Sequence, residues 1–148
     1  MYRHILIATD GSSLATRAAK QGLALAKALG ARVTAVTVTA LWSASEMAAK
    51  AARGEKHPTD DYEAKASAAA EKVLAEIREA AETEGVRCET LHVADERPAD
   101  GIVRACEQHG CDLIVMSSHG RRGLERLVLG SQATEVVATS KVPVLICR

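Results

Sequence analysis

The chain reads as a single α/β domain of 148 residues, an open five-stranded parallel sheet in the order 3-2-1-4-5 with helices on both faces. Three observations predict this. Short apolar runs alternate with helical patterns from one end to the other, and strand–helix alternation means parallel strands joined by helical crossovers. The runs at 4–9 and 113–116 are the most continuously apolar, which puts them at the centre of the sheet, buried on both sides. The run from Val86 to Val93 carries Arg87 and Glu89, and the last run opens with Pro143; both features suit outer strands.

Taken in order, His4-Ile-Leu-Ile-Ala-Thr is the first strand. Asp10, Ser12 and Ser13 then compete to cap a helix. Ala15, Ala18, Gly22, Leu25, Ala26 and Leu29 recur at helical spacing and are expected to face the sheet, with Gly30 ending the helix. The small residues on that face predict a helix lying very close to the strands. Arg32–Thr39 is rich in β-branched residues and forms the second strand. The segment 40–59 is the least legible; a short helix from Ser45 to Arg53 fits before Gly54, and a connection this long is a lid, a binding element or disordered. Thr59, Asp60 and Asp61 are placed to cap a long helix running to Glu84, with Ala66, Ala70, Val73, Leu74, Ile77, Ala80 and Ala81 inward and Gly85 closing it. After the third strand, Pro98 suits the first turn of a helix whose apolar face is Ile102, Val103 and Cys106 and whose end is Gly110. A fourth strand, a glycine-bearing loop, a helix from about Gln132 and a final strand follow.

Hydrophobic residues make up 47% of the chain, but aromatics only 2%, with no Phe. Aliphatic side chains therefore fill the core, as helices packed closely on a sheet require. Nineteen basic and nineteen acidic residues cancel, which argues against a general nucleic-acid binder, since that needs an electropositive face. No run is long enough to cross a membrane, and Met-Tyr-Arg-His-Ile lacks the layout of a signal peptide; a cytoplasmic location is expected. Cys88, Cys106, Cys111 and Cys147 show neither CxxC pairing nor metal-ligand spacing and read as core or boundary thiols in a reducing compartment.

In a sheet of this order, ligands sit between the C-terminal ends of strands one and four, where the winding reverses. Those ends are Ala8-Thr9-Asp10 and Met116 to Gly120. The second is followed, nine residues beyond Gly120, by Gly130-Ser131 and a fresh helix. Glycine lets backbone N–H groups approach an anion, and a helix start adds unpaired donors and positive dipole. Ser131 stands where a hydroxyl either caps the helix or contacts a phosphate. Arg121 and Arg122 either add charge to the loop or lie on a solvated surface; His119 either touches a phosphate or shapes the turn. Asp10 either accepts hydrogen bonds from a ribose or caps the first helix. There is no GxxxxGK[ST], no GxGxxG after the first strand, and no arguable Ser/His/Asp triad or metal-ligand spacing of histidines.

The segment 117–131 resembles the nucleotide loop of the universal stress protein family, a pattern of Gly, two residues, Gly, nine residues, Gly and Ser or Thr. Gly120, Gly130 and Ser131 match; Ser117 stands in place of the first glycine. The likeness extends to Thr9-Asp10 and to Val142-Pro-Val-Leu-Ile. It implies a Rossmann-like nucleotide-binding fold and a regulatory stress-response protein that binds ATP, with or without Mg2+. Carried over by position, adenine and ribose fall to Ala8, Thr9, Asp10 and Val38, with Met116 and Ser117 at the end of strand four. The phosphates fall to His119, Gly120, Arg121, Arg122, Gly130, Ser131 and Gln132. The alternatives are a slow ATP-hydrolysing or nucleotidyl-transferring enzyme, at most a weak ATPase, and a dimeric scaffold that binds no nucleotide. No lysine or paired carboxylates stand ready to hold metal for in-line chemistry, which favours binding over turnover. A further expectation is that Gly130→Asp abolishes binding and largely spares the fold. The family also implies a homodimer through the fifth strand, an apolar edge on which Val144 and Ile146 would pack across the two-fold axis.

Overall fold

Five residues buried along their whole length, His4–Ala8, form strand β1. In the computed structural model, which describes residues 1–94, 96–120 and 128–148, the chain continues through α1 (Ser13–Leu29), β2 (Arg32–Val38), α2 (Ala44–Ala52), α3 (Pro58–Glu84) and β3 (Cys88–Val93). It then runs through α4 (Pro98–His109), β4 (Leu113–Ser117), α5 (Ser131–Thr139) and β5 (Val144–Cys147). All neighbouring strands are parallel, in the order β3-β2-β1-β4-β5. The two strands expected at the centre are there, with Ile5 of β1 opposite both Val33 of β2 and Leu113 of β4.

Strand alternation divides the interior in two. Ile5, Ile7, Val33, Ala35 and Val115 pack beneath α1 and α3, whereas Leu6, Ala8, Val36, Ile114 and Met116 pack beneath α4 and α5. The close approach of α1 is real: a Cβ built on Gly22 would lie 2.8 Å from Ile7 Cδ1 and 3.3 Å from Val115 Cγ1. The buried face differs slightly from expectation. Ala19 and Leu23 are in the core, while Leu29, on the last turn where the face rotates away from the sheet, is exposed. Ser12 wins the competition for the cap, its Oγ accepting from the Ala15 N–H at 3.2 Å.

Three helices end alike. Gly30, Gly85 and Gly110 adopt left-handed conformations (φ 63, 70 and 63°), and the next N–H returns to a helix carbonyl: Ala31 to Ala26, Val86 to Ala81, Cys111 to Cys106. Each turn delivers the chain to β2, β3 or β4. Beside them His4 is buried, sharing a 2.8 Å hydrogen bond between its Nε2 and Thr34 Oγ1, while Nδ1 has no partner. Burial pushes its pKa below the ordinary histidine value, and the Arg32 guanidinium adds to the shift.

The segment 40–59 holds α2, capped by Ser43 and anchored by the buried Met47. Tyr62 donates to the Ala40 carbonyl (3.0 Å) and Trp42 Nε1 to Glu63 Oε1 (3.3 Å), tying the segment to α3. Helix α3 begins one residue before the expected caps: Pro58 takes the first turn, preceded by His57 without a side-chain cap. Proline pre-sets the helical φ and has no N–H to satisfy, so Thr59 is not needed there.

Candidate functional site

The crevice between the C-terminal ends of β1 and β4 is built from two turns. On the β1 side, Thr9 is buried, its N–H donating to Val36 O (3.0 Å) and its carbonyl accepting from the Thr37 hydroxyl (2.9 Å). Its own Oγ1 accepts from the Gly11 N–H at 3.2 Å. Asp10 Oδ1 accepts from the Ser12 N–H at 2.9 Å, an Asx turn that fixes the carboxylate at the rim. Asp10 therefore does not cap α1, a role taken by Ser12; one of its oxygens holds the turn that leads into that cap.

On the β4 side, Met116 and Ser117 are buried and belong to the strand, Ser117 opposite Cys147. An extended residue needs no glycine, and the Ser117 hydroxyl is used within the loop, donating to the His119 carbonyl at 2.8 Å. His119 Nδ1 shares a 3.1 Å hydrogen bond with Ser118 Oγ, which makes the ring part of the turn. Gly120 meets Asp10 directly: a Cβ on it would lie 2.7 Å from Asp10 Oδ2. Arg121 and Arg122 lie outside the described residues.

Gly130 is held just as tightly. Its N–H donates to Ser118 O at 2.8 Å, and a Cβ there would lie 2.7 Å from that same oxygen and 3.4 Å from His119 Cα. The expectation that Gly130→Asp spares the fold is thereby corrected, because any side chain at 130 presses on backbone that has no freedom to turn away. Ser131 is corrected too. Gly130, not Ser131, occupies the N-cap of α5; Ser131 is the first helical residue, and no side chain caps the helix. Among the described residues no acceptor takes up the Ser131 and Gln132 N–H groups.

Gln132 has a job that spacing did not suggest. Its Oε1 accepts from the Ala99 N–H at 3.0 Å, capping α4, whose own N-cap residue Arg97 offers no side-chain bond. Arg97 instead reaches Glu135 on α5 with both carboxylate oxygens at 2.8 and 3.0 Å. Val38, at the end of β2, packs on α4: a Cβ on Gly101 would lie 2.8 Å from its Cγ1. Thus Asp10 meets Gly120, and Gly130 meets Ser118 and His119, at the ends of β1 and β4, with Ala8, Thr9, Met116, Ser117 and Ser131 on the elements flanking those contacts and Val38 at the end of the neighbouring strand β2. Thr37 and Ser118 support the two turns, and the sequence signals neither beyond the alternation that sets Thr37 between Val36 and Val38. No cluster of metal-ligating side chains occurs among the described residues, nor any helix long and apolar enough to cross a membrane.

The family model for universal stress proteins matches residues 1–148. The chain belongs to the universal stress protein family. Universal stress protein YxiE of Bacillus subtilis is 31% identical with the whole of both chains covered. Universal stress protein MJ0531 of Methanocaldococcus jannaschii is 32% identical over 148 residues, covering 100% of this chain and 83% of that one. Among solved structures, the hypothetical protein MJ0577 superposes with a TM-score of 0.81 at 27% identity, over 99% of this chain and 96% of that one. Other universal stress proteins share the fold at lower identity, including one in complex with cAMP (TM-score 0.70, 23% identity, 98% and 95% covered). Another, from Archaeoglobus fulgidus, is in complex with dAMP (TM-score 0.65, 22% identity, 99% and 98% covered).

Proposed function

We propose that this universal stress protein binds an adenine nucleotide, ATP with or without Mg2+, in the crevice between β1 and β4, and acts in regulation of a stress response and not as a catalyst. One observation carries the reading: α5 starts at a glycine with no side-chain cap, no acceptor among the described residues taking its first N–H groups, beside Gly120, which meets the Asp10 carboxylate. An uncapped helix start with glycine at its mouth suits a phosphate, and Asp10, a few ångströms away across Gly120, suits the ribose hydroxyls. Ala8, Thr9, Val38, Met116 and Ser117 would form the base and sugar walls; His119, Gly120, Arg121, Arg122, Gly130, Ser131 and Gln132 the phosphate side. In Gln132 the backbone N–H would serve, since its side chain is engaged with α4. Relatives of the same fold in complex with cAMP and dAMP support the nucleotide class. Calorimetric titration with ATP, AMP and cAMP, with and without Mg2+, tests this: saturable binding weakened by Asp10→Asn is expected. Absence of binding by the wild-type protein to all three would remove the reading.

The same proposal includes a homodimer through β5. That strand is at the sheet edge, and Leu145 on it and Val137 on α5 are exposed. Val144 and Ile146 instead pack partly against the core under α4 and α5, so Leu145 is the better contact across a two-fold axis. Light scattering should give twice the 15.6 kDa chain mass; a single-chain mass at micromolar concentration would refute it.

A further inference from the structure

The three helices that end in left-handed glycines repeat one backbone contact. In each, the residue after the glycine returns its N–H to the carbonyl five positions earlier, and both residues of the pair are buried. After α1 the pair is Ala26 and Ala31, and after α3 it is Ala81 and Val86; after α4 both positions are cysteine, Cys106 and Cys111. Small aliphatic side chains fill this contact twice in the same fold, so packing alone does not select two thiols.

The pair is set apart from the other cysteines. Cys106 and Cys111 lie in the core under α4 and α5, whereas Cys147 and Cys88 pack in the core on the opposite face of the sheet. The Cys111 N–H to Cys106 O bond of 3.0 Å keeps the two Cα atoms within about 7 Å, the span a disulfide can bridge. The side chains meet as well: Cys106 Sγ lies 3.5 Å from Cys111 O, and the Cys111 thiol is placed to donate to the Cys106 sulfur. That contact holds Cys106 below the ordinary cysteine pKa, against burial and the charges of Glu107 and Asp112, and pushes Cys111 up. A cavity of about 90 Å³ opens beside both cysteines, with Val103 and Val142 in its wall and the exposed ion pair of Glu107 and Lys141 (2.8 Å) at its rim. It has room for a few water-sized molecules.

We propose that Cys106 and Cys111 are an oxidisable thiol pair, which a small hydroperoxide entering through this cavity converts to an intrachain disulfide across the end of α4. The Cys106 thiolate attacks one peroxide oxygen. The O–O bond breaks, a sulfenic acid forms on Cys106, and the thiol's proton leaves with the other oxygen as water or an alcohol. The Cys111 sulfur then attacks the sulfenic sulfur, and its proton departs with the displaced hydroxyl as water. In sum, two thiols and one hydroperoxide give one disulfide, one water, and a second water or an alcohol. The order of attack follows from the contact between the two sulfurs. Cys106 is the one helped toward the thiolate, and the reluctance of Cys111 to ionise comes first from Cys106, so it lapses once that sulfur is oxidised. The pair stands at the entrance to β4, the end of the sheet remote from the proposed nucleotide crevice, and does not depend on it.

The test begins with reduced wild-type protein, freed of reductant, treated with hydrogen peroxide, alkylated and digested for mass spectrometry. Two of the four thiols should be lost to alkylation and recovered with dithiothreitol. Both cysteines fall between Arg104 and Arg121 with no lysine or arginine between them. Their shared tryptic peptide should therefore be lighter by two hydrogens, and further cleavage after Glu107 should leave its halves joined. The variant Cys88→Ser, Cys147→Ser should behave alike, and Cys111→Ser should give no link and a Cys106 sulfenic acid trapped by dimedone. In the wild-type protein, oxygen added to Cys106 without a link, a link to Cys88 or Cys147, or a link that forms only in urea would each overturn the proposal.

Discussion

Gly130→Ala probes the contact on which the proposed phosphate site rests. A carbon normally keeps roughly 3.3 Å or more from a carbonyl oxygen, and the new Cβ would lie 2.7 Å from Ser118 O. The shortfall of roughly 0.6 Å cannot be relieved by a rotamer change, because both partners are backbone. Either the turn at 118–120 or the start of α5 has to move, and the Gly130 N–H to Ser118 O bond of 2.8 Å lengthens with it. Overpacking of this kind costs about 1–3 kcal/mol, and a weakened hydrogen bond about 1 kcal/mol. For a domain of this size each kcal/mol corresponds to about 2–4 °C, so calorimetric melting should fall by about 4–16 °C. ATP affinity should fall by about tenfold or more, since the donors of α5 are displaced. Ser131→Ala is the matched control: the residue is exposed and caps nothing, so its melting temperature should not move. A Gly130→Ala protein melting within about 1 °C of wild type would show that the two turns do not touch as described.

Gln132→Ala leaves the start of α4 without its cap and should destabilise by about 1 kcal/mol in urea unfolding; no change would mean that Gln132 and Ala99 are not bonded. Ser117→Gly should alter ATP affinity by less than about tenfold, or about 1.4 kcal/mol, because the serine backbone is already extended; a much larger gain would mean that the hydroxyl obstructs the crevice. His4 predicts an acid-side loss of stability. Above its ordinary pKa of 6.5 the ring is neutral in both states; below it the unfolded chain takes up a proton that the buried ring resists, so stability declines with falling pH and levels off below the folded pKa. In His4→Gln, urea unfolding between pH 7 and pH 5 should lose that part of the slope, and an identical slope would remove His4 as its source.

The sheet order was legible because the burial of β1 and β4 is written in unbroken apolar runs, and the outer strands carry charge or proline. Gly30, Gly85 and Gly110 marked helix ends correctly, since left-handed turns select glycine and sit next to apolar periodicity. The meeting of the β1 and β4 ends, seen in the contact of Gly120 with Asp10, was legible from topology and spacing together. Other features were hidden for physical reasons. Gln132 reaching Ala99 joins residues far apart in sequence, and a glutamine in a first turn looks like any other surface residue. Ser131 was misread by one position because a serine after a glycine resembles a cap when the neighbouring backbone is unseen. The packing of segment 40–59 depends on Trp42 reaching Glu63 of α3 and on Tyr62 of α3 reaching back to Ala40, which no local pattern encodes.

The 2.8 Å bond from Gly130 N–H to Ser118 O has one more implication. The chain departs from β4 and returns to α5 at a single point, a closed junction whose two sides are set by the rest of the fold. The entropy of closing such a segment grows only logarithmically, about 0.6 kcal/mol for each doubling of length. Insertions or wholesale replacement between Gly120 and Leu129 should therefore leave the junction shut and the melting behaviour nearly unaltered. On the proposed reading, holding and choosing would then be separate tasks: the junction stays shut while exchanges between Gly120 and Leu129 alter which ligand is preferred, without the domain being rebuilt.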